Sequence, residues 1–258
     1  MSHERRDMPT TPSILLEGVG LRFVMGRGAS SVKSEALRRF GSLFGGASPL
    51  PVREEVWSLH DINLKLVQGD RLGVIGRNGA GKTTLLRVLA GIYPPTRGRV
   101  TRVGSIAPVL QLGLGFNAEL TGRENVFLAA AMAGMPRARM KQKLDEIFSF
   151  AELSDYREVP LKYYSSGMYA RLAFAVATEL ETDILLLDEV FAVGDLHWVA
   201  RAMERIERLI ERVGILVFVS HDLSLVERLC NRAIRLEGGV LQQEGTVEEV
   251  VASYRESA

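Results

Sequence analysis

Apolar runs of strand length alternate along this chain with apolar positions at helical spacing. Residues 14–23 and 57–67 read as strands. The stretch between them, 24–55, is an insertion rich in Gly, Ser and Arg. Within it Val32, Ala36, Phe40 and Leu43 recur at helical spacing, with Lys33, Arg38 and Arg39 between them. This pattern predicts a short basic amphipathic helix, either packed loosely on the core or meeting a partner or membrane interface. Residues 71–75 predict a buried strand, 84–90 a helix and 100–108 a further strand. Helices are predicted over 124–132 and 137–151, interrupted at Gly134 and Pro136, and again over 166–179. Strand and helix then alternate: 184–187, 196–212, 215–220, 223–229 and 233–236, with a short helix over 245–258. Such alternation implies an α/β fold with a mainly parallel sheet and helices on both faces.

Composition narrows the function classes. With 258 residues and a 47% hydrophobic share, one large domain with an insert is expected. The balance of 32 basic and 31 acidic side chains, net +1, argues against a strongly basic nucleic-acid binder. A single cysteine, Cys230, excludes an intrachain disulfide framework, and a small buried apolar role is expected for it. The first residues do not carry the pattern of a secretory signal. No apolar run approaches the roughly 20 residues that span a bilayer. A cytoplasmic chain is expected, reaching a membrane only through a partner.

The chemistry concentrates at Gly76-Arg77-Asn78-Gly79-Ala80-Gly81-Lys82-Thr83, which fits the phosphate-loop pattern G-x-x-x-x-G-K-[ST] at every fixed position. A strand precedes it and a helix beginning near Thr84 follows. The glycines permit backbone conformations closed to residues with a Cβ, so N–H groups can turn inward around phosphates at a helix N-terminus. Lys82 would reach the β- and γ-phosphates, and the Thr83 hydroxyl would ligate magnesium. A nucleoside triphosphate with Mg2+ is therefore the expected ligand.

Further positions fit the same chemistry. The apolar run 184–187 ends in Asp188 and Glu189. Asp188 stands where a phosphate-loop enzyme holds its magnesium, and Glu189 is placed to act as general base on water. His221 follows the strand 215–220, at a sheet end of the kind that lines a ligand crevice. Tyr164-Ser165-Ser166-Gly167-Met168 precedes a helix, and its small residues offer a second anion site at a helix N-terminus.

Taken together, these motifs resemble the nucleotide-binding subunit of an ATP-binding-cassette transporter over nearly the whole chain. The resemblance implies a phosphate-loop NTPase with an antiparallel β subdomain and an inserted α-helical subdomain, about 112–165 with the signature loop. It implies a glutamine loop at Gln111 that senses magnesium, a signature loop at Ser165, Ser166 and Gly167, an aspartate loop ending at Asp195, and a switch histidine at His221. Catalytic roles fall on Glu189, His221 and Lys82, and metal ligation on Thr83, Gln111 and Asp188. An aromatic upstream of the phosphate loop is expected to stack on adenine, with Phe23 and Trp57 as the two candidates. Two departures are visible: Met168 replaces the polar end of the signature loop, and Gln111 lies one residue earlier than usual.

The strings Gly113-Leu114-Gly115-Phe116-Asn117-Ala118-Glu119-Leu120-Thr121-Gly122-Arg123-Glu124-Asn125, Tyr164-Ser165-Ser166-Gly167-Met168 and Asp188-Glu189-Val190-Phe191-Ala192-Val193-Gly194-Asp195 resemble exporters of bacterial surface polysaccharides such as O-antigen, capsule or teichoic acid. The form without a C-terminal carbohydrate-binding domain is the nearer match. The resemblance implies a homodimer on the cytoplasmic face of the inner membrane, driving a separate permease that carries a lipid-linked glycan. An ABC ATPase for another exported substrate, a cassette protein working on ribosomes or DNA, and a small-molecule phosphoryl-transfer enzyme are the alternatives.

Overall fold

Three strands of the chain are apolar at nearly every position, and that alone places them between two layers. The computed structural model describes residues 11–26, 53–108, 113, 115–180, 182–188 and 196–257. The helix expected around Val32 to Leu43 lies outside these residues, as do Gln111, Glu189 and Asp195.

Strands β1 (Ser13–Gly26) and β2 (Arg53–Val67) form a long antiparallel hairpin, and β4 (Arg97–Val103) pairs with the other edge of β1. The hairpin runs further into the expected insertion than the sequence pattern suggests. Phe23 pairs with Val56, Val24 with Glu55 and Gly26 with Arg53, so main-chain pairing continues past the apolar alternation.

The second sheet has the order β5-β6-β7-β3-β8-β9. It is built from β3 (Arg71–Ile75), β5 (Ile106–Pro108), β6 (Ile184–Leu187), β7 (Ile215–Val219), β8 (Arg232–Glu237) and β9 (Val240–Thr246). All neighbours are parallel except β8 and β9. The helices are α1 (Lys82–Leu89), α2 (Gly122–Met132), α3 (Arg137–Ala151), α4 (Ser166–Ala177), α5 (Leu196–Ile210), α6 (Leu223–Leu229) and α7 (Val247–Ser257).

Successive strand residues serve opposite layers. Ile184 and Leu186 join the core beneath the antiparallel sheet and α1, whereas Leu185 and Leu187 face α5, α6 and α7. This is the period-2 alternation of a strand buried on both faces. A third apolar cluster, around Val126, Met140, Phe148, Leu172 and Val176, belongs to α2, α3 and α4.

Two differences from the sequence pattern have clear causes. The stretch 100–108 is not one strand: it divides between the two sheets. Gly104 turns the chain at φ 106°, and Ser105 is then pinned by its N–H (2.7 Å) and hydroxyl (2.8 Å) to Asp183 Oδ2. Strand β9 lacked a strong apolar signal because it is an edge strand exposed on alternate residues. The Gly238-Gly239 pair, both at positive φ, makes the tight turn into it.

Candidate nucleotide site

The phosphate loop leaves the carboxyl end of β3 and enters α1. Gly76, Gly79 and Gly81 adopt φ of 145°, 80° and 102°. At Gly76 the lack of a side chain is also steric, since a Cβ there would lie 2.2 Å from the Leu236 carbonyl oxygen of β8. At Gly81 it would lie 2.7 Å from the Ser58 carbonyl. The loop is thus pressed against β8 and β2 and held by backbone bonds, among them Gly239 N–H to the Ala80 carbonyl at 3.0 Å. Arg77, Asn78, Gly79 and Thr83 remain exposed, facing outward at the helix N-terminus.

Lys82 is 7% exposed, and its ammonium donates to the Gly76 carbonyl at 2.6 Å and the Arg77 carbonyl at 3.0 Å. The charge is therefore held inside the loop, where a phosphate would meet it. Thr84 is engaged by a residue the sequence did not single out: Ser58 Oγ on β2 donates to its hydroxyl at 2.9 Å. That link between distant segments leaves no local sequence signal.

Parallel register assembles the rest. Val74 of β3 pairs with Val219 of β7, and Leu187 of β6 with Phe218. Asp188 and His221, which follow β6 and β7, therefore emerge at the same sheet edge as the phosphate loop. Thr83 Oγ1 donates to Asp188 Oδ2 at 3.3 Å. Neighbouring oxygens on an octahedral magnesium stand about 2.9 Å apart, given its bond length of roughly 2.05 Å, so this pair fits such a cation. His221 is exposed at the start of the turn into α6. Asp222, next to it, caps that helix by accepting from the Ser224 N–H at 2.9 Å and the Leu225 N–H at 3.3 Å. Hydrogen bonding, first from the Ser224 hydroxyl, holds the Asp222 carboxyl below its ordinary range.

The Ser165–Gly167 loop belongs to a different body of the fold, the α2–α4 cluster. Ser165 is the N-cap of α4, and its Oγ accepts from the Met168 N–H at 3.1 Å. Gly167 is open on its missing side-chain face, since the nearest atom to a Cβ there would be Ser165 Oγ at 3.9 Å. Met168 packs on the helical cluster, which accounts for an apolar residue at that place. Behind the loop, Tyr164 donates to the Tyr156 carbonyl at 2.6 Å, and burial pushes its phenol up to about 12.

The two aromatic candidates are in unlike settings. Trp57 carries the Arg97 guanidinium 4.9 Å and the Arg22 guanidinium 5.8 Å from its ring centroid, with the His60 ring at 5.4 Å. Phe23 is 40% exposed and touches Tyr93 edge-on at 5.7 Å.

The ABC transporter family model matches residues 59–192, a span that contains the phosphate loop, the Ser165 loop and Asp188. The chain belongs to the ABC transporter family. It is an ATP-binding ATPase subunit of that family. It is 43% identical over 202 residues to the O-antigen export system ATP-binding protein RfbB of Myxococcus xanthus, covering 78% of this chain and 46% of that protein. The matched stretch thus spans under half of that relative. It is 47% identical over 189 residues to the O-antigen export system ATP-binding protein RfbE of Yersinia enterocolitica, covering 73% of this chain and 79% of that one. The fold matches an ATP-binding cassette solved as a dimer in a post-hydrolysis state with ADP and phosphate, with a TM-score of 0.68 and 21% identity over 91% of this chain and 98% of that one. Among the described residues no helix is long and apolar enough to cross a membrane.

Proposed function

We propose that this ABC family member hydrolyses ATP with Mg2+ to power export of a lipid-linked bacterial surface polysaccharide, such as O-antigen, through a separate membrane subunit. The observation that carries the ATPase reading is the Thr83–Asp188 pair at the mouth of a cradle that holds Lys82. The export reading rests on the similarity to two O-antigen export ATP-binding proteins.

Thr83 and Asp188 would hold the magnesium, with Gln111 as a further ligand by family resemblance. That ion supplies charge neutralisation at the β- and γ-phosphates. Lys82 binds the same phosphates and draws charge from them. Glu189, directly after Asp188, takes the proton of the attacking water as general base. His221 donates to the γ-phosphate from the neighbouring strand end. Phe23 stacks on adenine, since its face is less encumbered than that of Trp57.

Two chains complete each site. The phosphate loop, Gly76 to Thr83 with Thr84, binds ATP on one face, and Ser165, Ser166 and Gly167 of a second copy close it, with Asp195 at the same interface. The Ser165 loop sits on a separate helical body, so it is available to a neighbour. ATP drives closure to the extent that it binds the closed dimer more tightly than the open one. The assembly would lie on the cytoplasmic face of the inner membrane, docked on the permease.

The test is to co-purify the chain with its membrane subunit and analyse the bound glycan by mass spectrometry, alongside Glu189→Gln. That variant should lose hydrolysis yet retain an ATP-stabilised dimer. Near-normal turnover in Glu189→Gln would remove Glu189 as the base, and a co-purified substrate other than a glycan would overturn the export reading.

A further inference from the structure

Strand β2 carries one residue more than β1 where the hairpin passes the phosphate loop. Leu21 pairs with Leu59 and Arg22 with Trp57, so Ser58 is the extra residue of a β-bulge. Bulges beside functional sites re-aim side chains. Here the Ser58 hydroxyl is brought onto α1, 2.9 Å from Thr84 Oγ1. The Ser58 backbone is seated against two glycines: a Cβ at Gly81 would lie 2.7 Å from its carbonyl oxygen, and one at Gly239 2.6 Å. Gly239 is bonded on both sides, accepting from the His60 N–H at 2.7 Å and donating to the Ala80 carbonyl at 3.0 Å. The hydroxyl is therefore held by main chain that also holds the phosphate loop.

Thr84 is the third residue of α1, and the N-cap residue, Gly81, gives that helix end no side-chain cap. The N–H groups of the first turn are left for a ligand. Among the described residues, Ser58 is the sole hydrogen-bond partner of the Thr84 hydroxyl. A hydroxyl has one hydrogen and can both donate and accept. An ionised phosphate oxygen only accepts, so a Thr84 hydroxyl that serves it must donate its hydrogen there. Ser58 is then the donor within the pair, and the two hydroxyls form a relay from β2 through Thr84 to the nucleotide. Chained hydrogen bonds polarise one another, which strengthens the last bond of the relay.

We infer that Ser58 is a positioning residue for the nucleotide: it orients the Thr84 hydroxyl so that its hydrogen meets a phosphate oxygen. The inference rests on the assignment of Thr84 to the phosphate site proposed above. Ser58→Ala should weaken binding of β,γ-imido-ATP with Mg2+, read by isothermal titration, about fivefold, the scale of one neutral hydrogen bond. Ser58→Thr keeps the donor, on a strand that suits a β-branched residue, and should bind within about twofold of the parent. Thr84→Val keeps the shape of the side chain and removes the hydroxyl, so it should weaken binding at least as much as Ser58→Ala. Adding Ser58→Ala to Thr84→Val should have no further effect, because Ser58 acts through a group that is no longer there.

If Ser58→Ala binds the analogue within about twofold of the parent while Thr84→Val is weakened, the proposal falls and the assignment of Thr84 stands. If Ser58→Ala costs the same in the parent and in Thr84→Val, Ser58 is merely structural and the proposal falls, since a displaced strand would weaken binding with or without the Thr84 hydroxyl. Ser58→Thr binding as weakly as Ser58→Ala overturns it as well, because the hydroxyl is then not what matters. If Thr84→Val binds as the parent does, the assignment of Thr84 fails and the role of Ser58 with it, while the site at Lys82 and Thr83 stands.

Discussion

Thr83 Oγ1 lies 3.3 Å from Asp188 Oδ2, although 105 residues separate them in the chain. Two parallel strands bring them together, one ending at the phosphate loop and the other at the acid. If both oxygens ligate one magnesium, losing either should cost several kcal/mol of transition-state stabilisation, about a hundredfold or more in turnover. Thr83→Ala and Asp188→Asn should each show that loss and a higher Mg2+ requirement in a steady-state ATPase assay. The double variant should be little worse than either single one, because groups that serve one ion are not additive. Additive losses would mean that the two side chains act separately.

Lys82 bonds to its own loop through the Gly76 and Arg77 carbonyls. ATP binding should redirect those donors to phosphate oxygens and so stabilise the fold. At a hundredfold excess over Kd, linkage gives about 2.7 kcal/mol of added stability. The native chain should therefore show a clear rise in melting temperature with Mg-ATP. Lys82→Met, which keeps the aliphatic stem, should lose most of that rise. A thermal shift equal to the parent's would remove Lys82 from the phosphate site.

Phe23 and Trp57 could not be distinguished in the sequence, because both precede the phosphate loop and both are strand aromatics. Their neighbours differ, arginines and His60 around Trp57 and Tyr93 beside Phe23, and we propose Phe23 as the adenine platform. Phe23→Ala should weaken ATP binding by about tenfold, as expected for loss of 1–3 kcal/mol of base stacking. Trp57→Ala should leave ATP affinity nearly unchanged and instead lower stability by about 1 kcal/mol through its lost cation–π contacts. Fluorescent-nucleotide titration and thermal melting would read the two effects separately. The reverse result would make Trp57 the adenine platform.

The sequence was most informative where function restricts residue type over short spans. The glycines, Lys82 and Thr83 of the phosphate loop had to be contiguous, so their chemistry was legible before their geometry. The alternating strands and helices after Ile184 likewise carried their own period. What escaped was decided by contacts far apart in the chain. Gly104 and the Ser105–Asp183 bonds split one expected strand between two sheets, and none of these three residues looks special locally. Ser58, which bonds to Thr84 across 26 residues, is equally ordinary as a letter. Polar edge strand β9 was missed because exposed pairing needs few apolar residues.

Asp222 caps α6 immediately after His221, so it steadies the turn that presents the histidine. Its carboxyl is held below the ordinary value of 3.8, chiefly by the Ser224 hydroxyl. A depressed carboxylate contributes its stability above the unfolded-state pKa and loses it as pH falls through the lower folded-state value. Asp222→Ala should therefore cost about 1 kcal/mol near neutral pH, the usual worth of an N-cap. In a chain this size that corresponds to a drop of roughly 2–4 °C in melting temperature. The gap between variant and parent should persist down to about pH 4 and close below it, once the parent's cap is protonated too. Turnover should fall more than stability if the cap orients His221. A gap that stays constant through acid pH would mean that the Asp222 charge contributes nothing to the cap.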